Sequence, residues 1–151
     1  MDYGSILEER TNPATLMNAR EQYMRQCARG EPSVAAIFAF AHAMIGSKNK
    51  LDVSEGIHCL EGLLRNDEDN TSKRNYVFYL AVAHARIKQY DVALGYIDVL
   101  LESEANNTQA QSLKTAIKSS MTKDGLIGAA IVGGGAIALA GIVALFSLAR
   151  K

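Results

Sequence analysis

The sequence predicts an all-α fold: paired helices followed by a terminal apolar rod. Three observations carry it. Pro and Gly are scarce before residue 125, apolar residues recur at spacings of three and four, and no segment alternates with the period of two that a half-buried strand needs. From Gly125 to Ala149 there is no charged residue, and the chain then ends Arg150-Lys151.

Each helix has its own signature. Asn12-Pro13 opens the first, with Pro in the first turn where its missing N–H costs nothing. Leu16, Ala19, Tyr23 and Cys27 share a face, and Gly30 ends it. The second runs from Ser33 into Ile45 and stops near Gly46. The third spans about Asp52 to Arg65, with Ile57, Leu60, Leu63 and Leu64 inward. The polar stretch Asn66 to Ser72 reads as a loop. Tyr76, Leu80, Ala83 and Ile87 mark the fourth helix, and Tyr90, Ala93, Leu94, Ile97, Leu100 and Leu101 the fifth. After Asn106-Asn107, Ala110, Leu113, Ile117 and Met121 recur at helical spacing in a sixth.

The third and fifth helices repeat each other. Gly56-Ile57-x-x-Leu60-x-x-Leu63-Leu64 matches Ala93-Leu94-x-x-Ile97-x-x-Leu100-Leu101 at a shift of 37. Their partners, Phe38-x-Phe40-Ala41-x-Ala43 and Phe78-x-Leu80-Ala81-x-Ala83, match at a shift of 40. Periods of this size indicate helical hairpins of the tetratricopeptide type. Small Ala81 and Ala93 permit close approach within a pair. Two such units rarely stand alone, so the first and sixth helices are expected to cap the stack.

The 25 residues from Gly125 to Ala149 comprise 11 large apolar residues, 7 Ala, 6 Gly and one Ser. An interfacial helix needs a polar face, which this composition cannot supply. The large residues sum to roughly −3 to −6 kcal/mol for membrane insertion, and about 20 residues cross a bilayer core. The segment therefore reads as a single-pass tail anchor, with residues 1–11 an arm, 12–123 a cytosolic helical domain, 124–149 the anchor and 150–151 a basic stub. Lys123, Arg150 and Lys151 are the candidate targeting charges. Gly125, Ala129 and Gly133 form a small-residue ladder that leaves self-association open.

Composition excludes several functions. All 16 acidic residues precede the tail, against 14 of the 16 basic ones, which argues against nucleic-acid binding. Met1-Asp2-Tyr3-Gly4 shows neither the basic nor the apolar region of a secretory leader. Cys27 and Cys59 lack CxxC spacing and read as reduced thiols packed as small hydrophobes. His42, His58 and His84 stand singly on different helices, so no metal site is expected. Gly133-Gly134-Gly135 lacks the Lys and Ser/Thr of a phosphate loop. Glu8-Glu9 and Asp67-Glu68-Asp69 read as solvated surface. No nucleophile has a base beside it; no cofactor and no enzyme activity are expected.

The concave side of a helical-hairpin array is lined by the first helix of each pair. That places Asn75, Phe78, Tyr79, Val82 and Arg86 on it from the second pair, and Phe38 and His42 from the first. Phe38 and Phe78 are equally compatible with core positions. As a set these residues describe an apolar groove with Arg86 near its rim, suited to a partner's helix or extended peptide. The arm, with Ile6 and Leu7 among acidic residues, has two readings: it lies in the groove and regulates access, or, more simply, it is disordered.

Arg74-Asn75-Tyr76-Val77-Phe78-Tyr79-Leu80-Ala81-Val82-Ala83, with Lys123-Asp124-Gly125-Leu126-Ile127-Gly128 and Ala130-Ile131-Val132-Gly133-Gly134, resembles the mitochondrial fission 1 family. The resemblance runs from Arg74 to Gly134 and extends more loosely through Ser33 to Arg65. It implies a six-helix bundle, tail-anchored in the mitochondrial outer membrane and in peroxisomes. It implies also an adaptor whose concave face recruits a dynamin-related GTPase or the adaptor proteins that bridge to it. Residues 1–11 depart from the family pattern. The alternative is a tail-anchored docking receptor for chaperones or other cytosolic partners, which would need Lys and Asn where Phe78 and Val82 stand. A helical apoptosis regulator would carry a Trp, and this chain has none.

Overall fold

The computed structural model describes residues 5–125. A 3-10 turn, Ser5–Leu7, precedes α1 (Pro13–Arg29), α2 (Val34–Ile45), α3 (Lys50–Asn66), α4 (Asn70–Arg86), α5 (Tyr90–Ser103) and α6 (Thr108–Lys123). Short connections make successive helices antiparallel neighbours, and α2 with α3 and α4 with α5 form the two expected hairpins. The helix starts explain themselves: Asn12, Ser33, Asn49, Asp69 and Asn107 each accept a backbone N–H of the first turn.

Those caps correct two expected boundaries. Asn49 starts α3 two residues before Asp52. Asp69, capping Ser72 through both N–H and Oγ, draws Asn70-Thr71-Ser72 into α4, so the predicted loop shrinks to 67–69. Polar composition described a first helical turn rather than a loop. Within what remains, Asp67 accepts the Tyr76 hydroxyl at 2.5 Å, and burial followed by that carboxylate pushes the phenol up to about 12.

The core runs from α2 to α6. Phe40, Leu60, Leu80, Ile97, Leu113 and Ile117 are fully buried. Ala81 and Ala93 are sealed between the helices of the second hairpin. In the first hairpin Gly56 serves the same purpose: a Cβ there would lie 2.7 Å from Ile45 Cγ2 and 3.0 Å from the Ala41 carbonyl oxygen. Helix α6 caps one side through Ala110, Leu113 and Ile117. Helix α1 caps the other more lightly. Tyr23 stacks on Phe40 with centroids 4.3 Å apart, but no α1 residue is fully buried. Cys27 is exposed rather than packed, because Gln26 takes the inward position and accepts the Ser33 N–H. Cys59 is half-buried, and both thiols are free.

The arm is not disordered over its described part. Thr11 donates its N–H to Gly46 O and its hydroxyl to Ala43 O, both at 2.8 Å, and Ile6 and Leu7 pack against the core. At the other terminus Gly125 adopts a φ of 73° just past α6, the left-handed conformation that favours glycine at a helix end. The expected membrane span lies, after Gly125, outside the described residues. Among the described residues no helix is long and apolar enough to cross a membrane.

Candidate functional site

Asn75, Tyr79, Val82 and Arg86 succeed one another at helical spacing and share one face of α4. Phe38 and His42, one turn apart on α2, stand opposite. These six and Phe78 line a single cavity of about 960 Å³, so the structure brings all seven sequence-predicted residues together. Lys123 lies elsewhere, exposed at the end of α6; Arg150 and Lys151 fall outside the described residues.

Tyr79 is the hub of an aromatic cluster. Phe38, His42 and Phe78 each meet its ring edge-to-face, at centroid distances of 5.8, 4.9 and 5.5 Å. Phe38 and Phe78 are therefore half-buried walls rather than core, while Val82 is 1% exposed with the arm in place. His42 keeps an exposed edge, as does Asn75.

Arg86 is not a free cation on a rim. It is largely buried, and one Nη donates to Ile45 O at 2.5 Å while the other donates to Ile6 O at 2.6 Å. A single guanidinium thus clasps the arm to the end of α2, which its planar fork allows and an ammonium would not. Its Nε is buried without a hydrogen-bond partner among the described residues. Burial, then the charge of Arg10, lowers its pKa to about 10, so it stays protonated near neutrality.

Sequence reasoning missed three contributors. Glu9 and Arg10 bring arm charges to the cavity mouth, and Thr15, Asn18 and Gln22 of α1 supply a polar wall. Gly46 is the third: a Cβ there would fall 2.0 Å from Thr11 Oγ1, so only glycine lets the arm lie this close. The signal for α1 was legible, since its polar residues recur at three and four. The signal for Gly46 was not, because the same residue also ends a helix.

Two histidines are expected to make the domain less stable in acid. His42 is pushed below its ordinary 6.5 by burial first and by Arg86 second. His84, stacked on Tyr96 and paired with Gln89 Oε1 at 2.8 Å, is lowered by burial. A depressed histidine binds its proton more readily unfolded, so stability is complete above pH 6.5 and falls as pH drops below it. Urea midpoints at pH 5.5 should lie below those at pH 7.5, and His42→Gln should remove part of that difference.

The Fis1 N-terminal tetratricopeptide repeat matches residues 35–67, and the Fis1 C-terminal tetratricopeptide repeat matches residues 74–126. The FIS1-related protein fis-2 of Caenorhabditis elegans is 81% identical over 151 residues, covering all of both chains. The human mitochondrial fission 1 protein is 39% identical over 145 residues, covering 96% of this chain and 95% of its own. The crystal structure of Fis1 from Saccharomyces cerevisiae superposes with a TM-score of 0.67 at 26% identity, covering 79% of this chain and 90% of its own. Yeast Fis1 crystallised with an Mdv1 fragment, 24% identical, shares the fold with a TM-score of 0.69 over 78% of this chain and 91% of its own.

Proposed function

The chain belongs to the mitochondrial fission 1 family, and on that premise we propose that it is a non-enzymatic adaptor recruiting fission machinery through its α2–α4 groove. The observation that carries this reading is the groove itself, an aromatic-lined cavity whose Phe38, Phe78 and Tyr79 offer apolar walls to a partner's helix. The partner class is a dynamin-related GTPase or an adaptor bridging to it. Support for the second comes from yeast Fis1, solved with an Mdv1 fragment that contains an N-terminal extension and a coiled coil. The chaperone-receptor alternative is disfavoured. A carboxylate clamp needs an available cation, and Arg86 is already engaged by two backbone carbonyls.

Residues 124–149 act in this proposal as a tail anchor for the mitochondrial outer membrane and for peroxisomes, with 12–123 facing the cytosol. Lys123, Arg150 and Lys151 set the destination. The arm occupies the groove and competes with the partner.

Two manipulations separate the roles. Deleting 125–151 should abolish recruitment to the organelle, while Phe78→Ala with Asn75→Glu, at a half-buried and an exposed groove position, should abolish partner capture and leave carbonate-resistant membrane association intact. Recruitment that survives the groove substitutions would assign partner binding to another surface.

A further inference from the structure

One end of the helical bundle gathers the start of α1, the α2–α3 turn, the α4–α5 turn and the end of α6. Thr11 donates to Gly46, Arg86 to Ile45, and Tyr90 and Lys88 both reach Asp124, at 2.5 and 3.7 Å. The chain also departs from this end. Helix α6 stops at Lys123, and Asp124 alone separates it from the uncharged stretch that begins at Gly125.

The two ends differ in charge. Exposed Lys48, Lys50, Lys88 and Lys123 crowd the exit end. Of its acids, Asp52 is held by Ser47 and Arg20 and Asp124 by Tyr90 and Lys88, while Asp91 lies half-buried in the first turn of α5. Glu8 and Glu9 belong to the arm, and Glu9 faces the groove. The opposite end carries Glu31, Asp67, Glu68, Asp69, Glu102 and Glu104 against Arg29, Arg65, buried Lys73 and Arg74, which is itself bonded to Glu104. Beside Lys48 and Lys50 stands Leu51, 77% exposed in the first turn of α3. It is the most exposed large apolar side chain among the described residues.

A protruding leucine next to lysines, at the end from which an apolar segment departs, is the chemistry of an anionic lipid interface. Resting on the tail-anchor reading above, we propose that Lys48, Lys50 and Leu51 form a seat for the anionic bilayer surface that the chain's own terminus enters. Tethering supplies a high effective concentration, so weak contacts suffice. Seated this way, the helices stand along the membrane normal and the groove opens sideways, clear of lipid.

The test uses the full chain in lipid nanodiscs, with a gadolinium chelate on a fraction of the headgroups and amide relaxation as readout. The α2–α3 turn and the 67–69 loop sit at opposite ends of α3, whose 17 residues at 1.5 Å each separate them by about 25 Å. In discs containing phosphatidylserine, amides of 48–51 should relax at least about tenfold faster than those of 67–69, as that separation dictates. The contrast should shrink in 0.5 M salt, where the Debye length falls to about 4 Å. Replacing Lys48 and Lys50 with Gln should weaken seating roughly fivefold per lysine, and adding Leu51→Ser should reduce it further, without changing the thermal midpoint of these exposed positions. Equal relaxation at both ends in a disc-embedded protein would overturn the seat while leaving the anchor intact. Failure of the chain to partition with discs would overturn both. A contrast unchanged between phosphatidylserine and phosphatidylcholine would also overturn it, assigning the orientation to the short exit alone.

Discussion

Replacing Arg86 with Ala is expected to release the arm and to lower stability by about 2–4 kcal/mol, because two carbonyls lose their donor and the one at the end of α2 stays partly buried. Hydrogen exchange reads the release directly. The Thr11 amide, bonded to Gly46 O in the parent, should exchange at a rate close to that of an open chain. Arg86→Lys should behave similarly, since one ammonium cannot span both acceptors. Partner capture then distinguishes two roles for this residue. If the arm competes for the groove, affinity rises in Arg86→Ala despite the lost stability; if the guanidinium itself holds the partner, affinity falls. Gly46→Ala provides an independent check, because the three atoms nearest its Cβ all belong to Thr11 of the arm. A rise in both variants identifies the arm as the competitor, and a fall in Arg86→Ala alone identifies the guanidinium as a contact.

Gly56→Val should be the most disruptive single change in the first hairpin. Its side chain would press on Ile45 and on the Ala41 carbonyl, and backbone cannot swing aside as a flexible side chain can. The expected cost is about 2–3 kcal/mol, a fall of roughly 8–12 °C in thermal midpoint for a domain of this size. Because α2 carries Phe38 and His42, the groove should widen as α2 is forced off α3, and partner affinity should fall as well. Gly62→Ala on the same helix is the control. Nothing lies within 4 Å of its added Cβ, so the change should stabilise by about 0.5–1 kcal/mol. Equal effects at the two positions would show that helix propensity, and not close approach, decides glycine usage here.

Much of this architecture was legible because helical periodicity and hairpin repetition are local signals. All six helices stand where spacing places them, and the seven groove residues converge because one turn of offset on α2 and on α4 fixes their faces. What escaped the sequence is non-local or ambiguous. Asp69 is both a loop residue and an excellent cap, and only the folded chain shows which role prevails. The readings of Arg86 as a rim cation and of the arm as disordered share one cause. The carbonyls that Arg86 binds belong to residues 6 and 45, and hydrogen bonds between a side chain and a distant backbone leave no mark in residue type. Cys27 shows the limit of periodicity at a helix end, where Gln26 turned inward to satisfy Ser33 and left the thiol in solvent.

The Arg86 clasp joins residues 80 apart in sequence, whereas the hairpins close between adjacent helices. The Ile6 carbonyl precedes its donor by the length of four helices, so its anchor point exists only once α4 has formed. Phe78 and Tyr79 share that helix with Arg86, so the groove's aromatic wall and the arm's latch come into being together. Local opening of α4 is therefore expected to free the arm as well, so the two should exchange amide hydrogens as one cooperative unit.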